Sequence, residues 1–227
     1  MRTNYIGHDH AYQRKRDDPA YAGWNTHQEV AGDWPSTWQP LMEKRSFPNH
    51  GQLLELGCGA GNVSIAFAQA GYAVTGVDIA PTAISWATDN AARANVNVHF
   101  LQGNVLELTQ IADASFDVAL DGRCLHCIIG SDRTRFFQAA RRVLKVGGIL
   151  AICTMCNDVP DTSYFQKCFD PQSRCLMHDD IATRYIGDSN DIVQEVMLAG
   201  FRVLDVEVLP PKHQEDLADL QLIAERR

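Results

Sequence analysis

The chain lacks any uninterrupted apolar run approaching the ~18 residues that a membrane-spanning helix requires. It also lacks the charged and apolar leader of a secreted protein. Basic residues are few, since 20 Lys and Arg stand against 28 Asp and Glu and give a net charge of −8. Because phosphate binding depends on Lys and Arg, this balance disfavours nucleic acid as the main partner. We therefore expect a cytoplasmic protein with no membrane or nucleic-acid partner.

Repeats and low-complexity segments are also missing, and 227 residues with 45% hydrophobic content suit one domain with a complete core. From residue 51 onward predicted strands and helices alternate, which is typical of an α/β fold with a mostly parallel sheet. The last two predicted strands, residues 201–209 and 217–225, are joined by a short link that allows only antiparallel pairing. Four segments are expected: an aromatic segment 1–50, a cofactor-binding core 51–155, a substrate-side insert 156–190 and a terminal helix and hairpin 191–227.

The most informative stretch is residues 53–61, Leu-Leu-Glu-Leu-Gly-Cys-Gly-Ala-Gly. An apolar strand leads through an acidic residue into a glycine-rich turn, and a helical pattern follows. Glycine allows the backbone to approach a ligand that a Cβ would exclude. A second predicted strand ends in Asp78, about 20 residues beyond the first glycine, where a nucleotide-binding βαβ unit places its ribose-binding carboxylate. The pattern predicts a nucleotide site.

The spacing of this turn discriminates between nucleotides. It runs Gly-x-Gly-x-Gly, and Asn62 stands where the dinucleotide fingerprint needs a glycine, which disfavours an NAD-dependent oxidoreductase. No Lys-Ser or Lys-Thr follows, so a Walker-type phosphate loop is excluded. The turn also has no nearby Lys or Arg to neutralise a pyrophosphate. A ligand with a ribose but no phosphates fits best.

This turn resembles the first motif of the class I S-adenosylmethionine-dependent methyltransferases, Glu/Asp-x-Gly-x-Gly-x-Gly. The likeness continues in the expected order through residues 100–105 (Phe-Leu-Gln-Gly-Asn-Val), 125–128 (Leu-His-Cys-Ile) and 142–150 (Arg-Val-Leu-Lys-Val-Gly-Gly-Ile-Leu), and so covers about residues 51–155. Asn104 replaces the usual Asp, and Val146 replaces a proline. The resemblance implies a Rossmann-like, seven-stranded, mostly parallel sheet with an antiparallel last strand and helices on both faces. It also implies S-adenosylmethionine as cofactor and S-adenosylhomocysteine as product.

The resemblance and the residue chemistry together assign a set of cofactor-binding positions. They are Trp34, Glu55, Gly57, Cys58, Gly59, Gly61, Asp78, Ile79, Asn104, Val105 and Asp121. In this set Asp78 would accept both ribose hydroxyls, and Asn104 and Val105 would face the adenine. Asp121 would lie near the methionyl amine. Glu55 would orient the glycine turn, or the amine through bound water.

Two segments outside the core are candidates for covering the site and recognising the acceptor. Residues 1–50 carry most of the tryptophans, and they would either pack on the sheet edge or form a water-excluding lid. Residues 34–41 resemble a stretch of thiopurine- and tellurite-type methyltransferases, which would place Trp34 over the cofactor. The insert lacks a sustained period and would recognise substrate, with Arg184 and Tyr185 as candidate anchors.

The seven cysteines are an odd number, which disfavours a disulfide framework. Four of them form two Cys-x-x-Cys pairs after predicted strands four and five: Cys124 with Cys127 and Cys153 with Cys156. Paired zinc knuckles would need a different arrangement, so we expect no metal. In one interpretation these four thiols are small buried hydrophobic groups. In the other they form a soft-ligand site at the cavity mouth, which Cys168, Cys175 and His178 could join.

The expected chemistry is transfer of a methyl group to a small-molecule acceptor, including soft thiol or metalloid acceptors. Methyl transfer from a sulfonium is an in-line displacement, in which positioning can supply roughly 7–11 kcal/mol. A general base is needed only for an acceptor that arrives protonated, and His126 is the candidate, although its equivalent in relatives often packs against a helix. The alternative is a non-catalytic S-adenosylmethionine-binding regulatory module. A monomer or a homodimer is expected.

Overall fold

The computed structural model describes Thr3, residues 5–214 and residues 216–227. The strands in chain order are β1 (Gln52–Leu56), β2 (Ala73–Asp78), β3 (His99–Gln102), β4 (Phe116–Gly122), β5 (Leu144–Cys156), β6 (Phe169–Asp170), β7 (Cys175–His178), β8 (Ile181–Tyr185), β9 (Phe201–Leu209) and β10 (Ala218–Arg226). The α-helices are α1 (Ile6–Arg16), α2 (His27–Asp33), α3 (Gln39–Met42), α4 (Asn62–Gln69), α5 (Pro81–Ala94), α6 (Asp132–Val143), α7 (Ser163–Cys168) and α8 (Ser189–Leu198). A π-helix spans Trp34–Trp38, and a 3₁₀ turn spans Leu125–Cys127.

The central sheet has seven strands in the order β3-β2-β1-β4-β5-β10-β9. Neighbouring strands from β3 to β5 pair in parallel, whereas β10 is antiparallel to both β5 and β9. The short link before β10 causes this reversal, because it leaves no room for a crossover. The predicted Rossmann-like sheet with an antiparallel last strand is therefore confirmed.

Both faces of the sheet are buried under helices, so its strands are apolar at consecutive positions. On β1, Leu53 and Leu54 point to opposite faces and belong to different core clusters, yet both are fully buried. Phe136 of α6 packs in the cluster on one face, and Phe67 of α4 packs in the cluster on the other. Burying one such side chain contributes about 1.5–3 kcal/mol. The core thus fixes where the strands end, which positions the site.

The N-terminal segment crosses the carboxyl edge of the sheet and is attached on both sides. The Thr3 backbone N–H donates to Asp132 Oδ2 at 3.1 Å, and the Thr3 hydroxyl accepts from the Ile129 N–H at 3.0 Å. On the opposite side Asp9 Oδ1 of α1 accepts the N–H of Thr82, in the first turn of α5, at 2.9 Å. In the described ranges no helix is long and apolar enough to span a membrane.

The insert between β5 and α8 is more regular than its sequence indicated. It contains α7 and a small antiparallel sheet in the order β6-β7-β8. The strands are short, and a register shift between Leu176 and Met177 breaks the alternation that sequence reasoning looks for. β8 lies against the 3₁₀ turn that follows β4. The insert therefore sits on the same edge of the sheet as the N-terminal segment.

Candidate functional site

The carboxyl ends of β1, β2 and β4 and the N-terminal segment surround a cavity of about 840 Å³. Open α/β sheets bind ligands outside the carboxyl ends of their strands, so the cavity is where the fold class predicts a site. Nine of the eleven predicted cofactor-binding residues line it: Trp34, Glu55, Gly57, Cys58, Gly59, Asp78, Ile79, Asn104 and Val105. Their contact with a cofactor stays a prediction, but the structure brings them together. Gly61 and Asp121 do not line the cavity.

Residues 57–60 of the glycine turn line the cavity. Gly57 and Gly59 have φ of 72° and 52°, in the left-handed region that side chains rarely adopt. A Cβ on Gly57 would lie 2.6 Å from the Cys124 sulfur, and a Cβ on Gly59 would collide with the Tyr12 hydroxyl. Gly61, the residue before α4, packs instead against Phe100 and Ala87 and lies outside the lining. The turn therefore requires glycine for its conformation and for the close approach of neighbouring side chains.

Asp78 lies at the end of β2, facing the cavity, and is only 8% exposed. Its Oδ2 accepts the Gly59 N–H at 2.8 Å, and its Oδ1 accepts the Ala80 N–H at 2.9 Å. Burial raises the pKa of this carboxyl, while the backbone donors oppose the rise. A carboxylate oxygen has two acceptor sites, so each oxygen can still accept a hydroxyl. Asp78 can therefore serve both hydroxyls of a ribose.

Glu55 is buried where β1 leads into the glycine turn. Its Oε2 accepts a hydrogen bond from the Ser64 hydroxyl of α4, which ties strand and helix together. Burial raises its pKa to about 8, although the Ser64 hydrogen bonds act in the opposite direction. Without a cation beside it, Glu55 is therefore largely protonated at neutral pH. An ammonium group placed nearby would favour the ionised form, which is consistent with a role towards a cofactor amine.

Asp121 lies apart from most of the predicted cofactor-binding residues, and its proximity to a cofactor amine stays a prediction. Its side chain is fully buried and does not line the cavity, and its Oδ1 accepts the N–H groups of Cys124 and Leu125, each at 2.8 Å. Burial raises the pKa of this carboxyl to about 7. Asp121 thus orients the turn that carries His126 towards the cavity. The next residue, Gly122, does line the cavity.

Asn104 and Val105 lie at the edge of the cavity expected to receive the adenine. The side-chain oxygen of Asn104 accepts the Leu106 N–H at 3.0 Å, which fixes the orientation of the amide. Tyr5 of the N-terminal segment lines the same cavity. Trp34, in the π-helix, lines the cavity and packs edge-on against Phe67 with ring centroids 5.5 Å apart.

The N-terminal segment supplies further cavity-lining residues, and the aromatic ones among them belong to the set on which the expectation of a lid rests. The lining residues of this segment are Thr3, Tyr5, His8, Tyr12, Trp24 and Gln28, among others. Tyr12 is buried with its hydroxyl against the glycine turn, and burial raises its pKa well above its ordinary value. The aromatic content pointed to the segment, but which side chains face the cavity depends on the angle at which α1 crosses the sheet edge. This arrangement favours the lid interpretation.

His126 lines the cavity but is a weak base. It is 4% exposed, and its Nδ1 has no hydrogen-bond partner among the described residues. Burial, together with the positive charges of Arg184, Arg123 and Arg133, holds its pKa well below 6.5. The ring is therefore neutral at pH 7, and a group with so low a pKa accepts a proton reluctantly. It is better suited to hydrogen bonding with an acceptor than to deprotonating one.

The two cysteine pairs do not meet in the cavity. Cys124 and Cys127 line it together with Cys58, but Cys153 and Cys156 are buried along β5 and lie outside it, so one of the two pairs faces the cavity. Cys168, Cys175 and His178 of the insert lie outside it as well. Burial raises the pKa of each of the four paired thiols, so they are protonated at neutral pH. Within the described part of the chain, no group of three or more His, Cys, Asp or Glu side chains is placed to hold a metal ion.

An ion-pair network closes one side of the cavity mouth. Arg123, just after β4, contacts Asp219 of β10 at 2.7 Å and Asp33 of α2 at 3.4 Å. Lys212, in the link before β10, lies 3.5 Å from the same Asp33. The network joins the N-terminal segment to β10 and to the link before it. Of the two anchors predicted in the insert, Arg184 lines the cavity and Tyr185 does not.

Comparisons with known proteins agree with this geometry. Residues 54–152 match the family described as a methyltransferase domain. A putative methyltransferase of Bacillus subtilis, YqeM, is 35% identical over 115 residues, which are 50% of this chain and 45% of that protein. The chain spans less than half the length of the first curated relatives it matches.

Two solved structures share the fold over nearly the whole chain. The PH0226 protein of Pyrococcus horikoshii has a TM-score of 0.72 at 20% identity, covering 95% of this chain and 99% of that one. The Burkholderia thailandensis 1,6-didemethyltoxoflavin-N1-methyltransferase, solved with 1,6-didemethyltoxoflavin and S-adenosylhomocysteine bound, has a TM-score of 0.66 at 21% identity, covering 96% of this chain and 84% of that one. At these identities the likeness establishes the fold.

Proposed function

We propose that the chain transfers the methyl group of S-adenosylmethionine to a small-molecule acceptor, and the match of residues 54–152 to a methyltransferase domain supports this. The observation that carries the proposal is the Asp78 carboxylate, held by the Gly59 N–H of a glycine turn that lines the cavity. That arrangement suits a ribose without phosphates. The rest of the cavity, beyond the turn, leaves space for an acceptor next to the cofactor.

The residues of the chain act by binding, orienting and excluding water. When bound, S-adenosylmethionine supplies an electrophilic methyl whose carbon–sulfur bond breaks as the acceptor's lone pair attacks. Asp78 and the glycine turn would fix the ribose, and Asn104 would fix the base. The aromatic N-terminal segment would exclude water from the reacting atoms. Since His126 is a weak base, the chain suits an acceptor that arrives ionised or with a free lone pair.

Titration calorimetry with S-adenosylhomocysteine and with NAD tests the cofactor assignment. We expect S-adenosylhomocysteine to bind and NAD neither to bind nor to compete, because Asn62 occupies the place of the third dinucleotide glycine. Transfer of a labelled methyl group to a panel of small acceptors then separates an enzyme from a non-catalytic binding module. Binding of NAD alone would overturn the proposal. Cofactor binding without transfer to any acceptor would favour the module.

A soft thiol or metalloid acceptor is a second, finer candidate, favoured by the position of Cys124 and Cys127 on the cavity wall. Their protonated state and the remote location of the other pair weigh against it. This candidate predicts that phenylarsine oxide, a trivalent arsenical, slows alkylation of Cys124 and Cys127 by iodoacetamide. Cys153, fully buried outside the cavity, is the internal control and should react slowly with or without the arsenical.

Mass spectrometry of the alkylated peptides measures the alkylation rates of Cys124, Cys127 and the control Cys153 in one experiment. Alkylation of Cys124 and Cys127 at the same rate with and without the arsenical would remove the soft-acceptor candidate. The acceptor would then be a conventional oxygen, nitrogen or sulfur nucleophile.

Three further expectations rest on the sequence and stay predictions. They are a cytoplasmic location, the absence of a nucleic-acid partner, and a monomeric or homodimeric state.

A further inference from the structure

Three Lys or Arg residues line the cavity, and they differ in how their charge is balanced. Arg123 contacts Asp33 and Asp219, and Lys212 also contacts Asp33. Arg184, by contrast, forms no ion pair with any described residue. Arg184 is partly buried in the cavity wall, so a ligand that enters the cavity meets a cation whose charge no described side chain balances.

Aromatic and backbone groups hold the Arg184 side chain in place. Its guanidinium carbon lies 5.3 Å from the centroid of the Trp24 ring, within cation–π range. One of its terminal nitrogens donates to the Thr183 carbonyl at 2.8 Å. A cation–π contact orients a guanidinium without neutralising it, so its remaining N–H donors are available to a ligand. Trp24 is itself fixed by an edge-on contact with Tyr12, with ring centroids 5.5 Å apart.

The groups around Arg184 also suit a negative ligand. His8 and His126 both line the cavity near it, and burial and then the Arg184 charge hold the pKa of each ring below its ordinary value, to about 4 for His8. Both rings are therefore neutral at pH 7 and can hydrogen-bond to a ligand without repelling it. The buried Nδ1 of His126, without a partner among the described residues, is one such group.

None of the described acidic side chains that line the cavity forms an ion pair with the Arg184 guanidinium. Asp33 forms ion pairs with Arg123 and Lys212, and Asp219 forms an ion pair with Arg123. Glu29 accepts hydrogen bonds from Thr26 in a helix cap, both at 2.7 Å. The other lining carboxyls are Glu55 and Asp78, described above with the glycine turn, and Asp216 in the link before β10. The positive charge of Arg184 is thus the one left unbalanced among the cavity's described Lys and Arg side chains.

We infer that Arg184 binds an anionic oxygen group, a carboxylate or a phosphate, carried by the methyl acceptor. The inference rests on the proposed function and names its substrate class: a small acidic acceptor rather than a neutral or cationic one. An arginine guanidinium can donate two parallel hydrogen bonds to a carboxylate or phosphate, and this bidentate contact fixes the orientation of the anion. Binding energy at this remote end of the acceptor would hold its nucleophile in line with the methyl group.

The test compares three one-ring probes on the protein saturated with S-adenosylhomocysteine: benzoate, phenyl phosphate and the neutral benzamide. Ligand-observed NMR titration gives their dissociation constants. We expect at least one of the two anions to bind at least about tenfold more tightly than benzamide, because a charged hydrogen bond contributes that much. Which anion binds better distinguishes a carboxylate acceptor from a phosphate one. An unaltered protein that binds neither anion better than benzamide would overturn the inference.

Arg184→Gln should remove the preference for anions and leave S-adenosylhomocysteine binding unchanged. The matched control is Lys167→Gln, which removes one positive charge from an exposed position on α7 of the same insert. The control should keep the full preference. A preference that persists in Arg184→Gln would assign the anions to another group. Failure of S-adenosylhomocysteine to bind the unaltered protein would instead count against the proposed function, since that ligand is assigned to the glycine turn and not to Arg184.

A second measurement needs no variant and covers the case in which Arg184→Gln does not fold. Raising NaCl from about 0.05 M to about 0.5 M should weaken benzoate and phenyl phosphate binding several-fold through screening, while benzamide binding stays constant. Equal salt dependence for all three probes would overturn the inference.

Discussion

Asp78→Ala is expected to weaken S-adenosylhomocysteine binding by at least about 100-fold. The carboxylate lies in the cavity at the end of β2 with both oxygens able to accept one more hydrogen bond. Two charge-assisted hydrogen bonds to a ribose contribute roughly 1.5–3 kcal/mol each, and every 1.4 kcal/mol is a tenfold change in affinity. Titration calorimetry measures the loss directly.

The control for this variant is Asp89→Ala, which removes a carboxylate of α5 that pairs with Arg16 at the surface. It should leave cofactor affinity unchanged. Asp78→Ala also takes an acceptor away from the Gly59 and Ala80 N–H groups, so its thermal melting must be recorded beside the titration. A cooperative melt with unchanged affinity would mean that the ribose site lies elsewhere.

The features that the sequence predicted correctly are those set by local chemistry. Gly57, Gly59 and Asp78 were assigned to one site from their spacing along the chain, and the structure brings them to the same cavity, while their contact with a cofactor stays a prediction. The antiparallel last strand followed from the length of one link. Such features depend on a few neighbouring residues, so the sequence is sufficient to predict them.

The features that it missed depend on the direction in which a side chain turns or on how distant segments meet. Asp121 stands at the end of β4, where the expected contact would be made, yet its side chain turns inward to satisfy two backbone N–H groups. The same holds for Cys153, since its direction on β5 decides whether the thiol faces the cavity or the core. Trp24 and Arg184 are separated by most of the chain and form a contact that no pattern in the sequence indicates.

Removal of residues 1–25 is expected to reduce methyl transfer by about 100-fold or more while a cooperatively folding core remains. The deletion takes away α1 and with it Tyr5, Tyr12 and Trp24, which form one wall of the cavity. Water would then reach the reacting atoms. Arg184 would also lose its contact with Trp24, so it would orient the acceptor less well. The cut precedes Thr26, whose capping box begins α2, so Trp34 and the buried Trp38 keep their places.

The expected stability of the shortened chain follows from which core clusters it loses. Tyr12 packs with Ala83 and Trp86 of α5 in a small separate cluster. The two large clusters, one on each face of the sheet, keep all their buried residues in the shortened chain, and one of them loses the partly buried Tyr5 that packs against it. A lower melting temperature with one cooperative transition is therefore expected by calorimetry. The control is Arg16→Ala, which removes the surface pair with Asp89 and should keep full transfer. Loss of cooperative melting in the shortened chain would instead identify the segment as a structural edge of the sheet, and full transfer by a folded shortened chain would refute the lid.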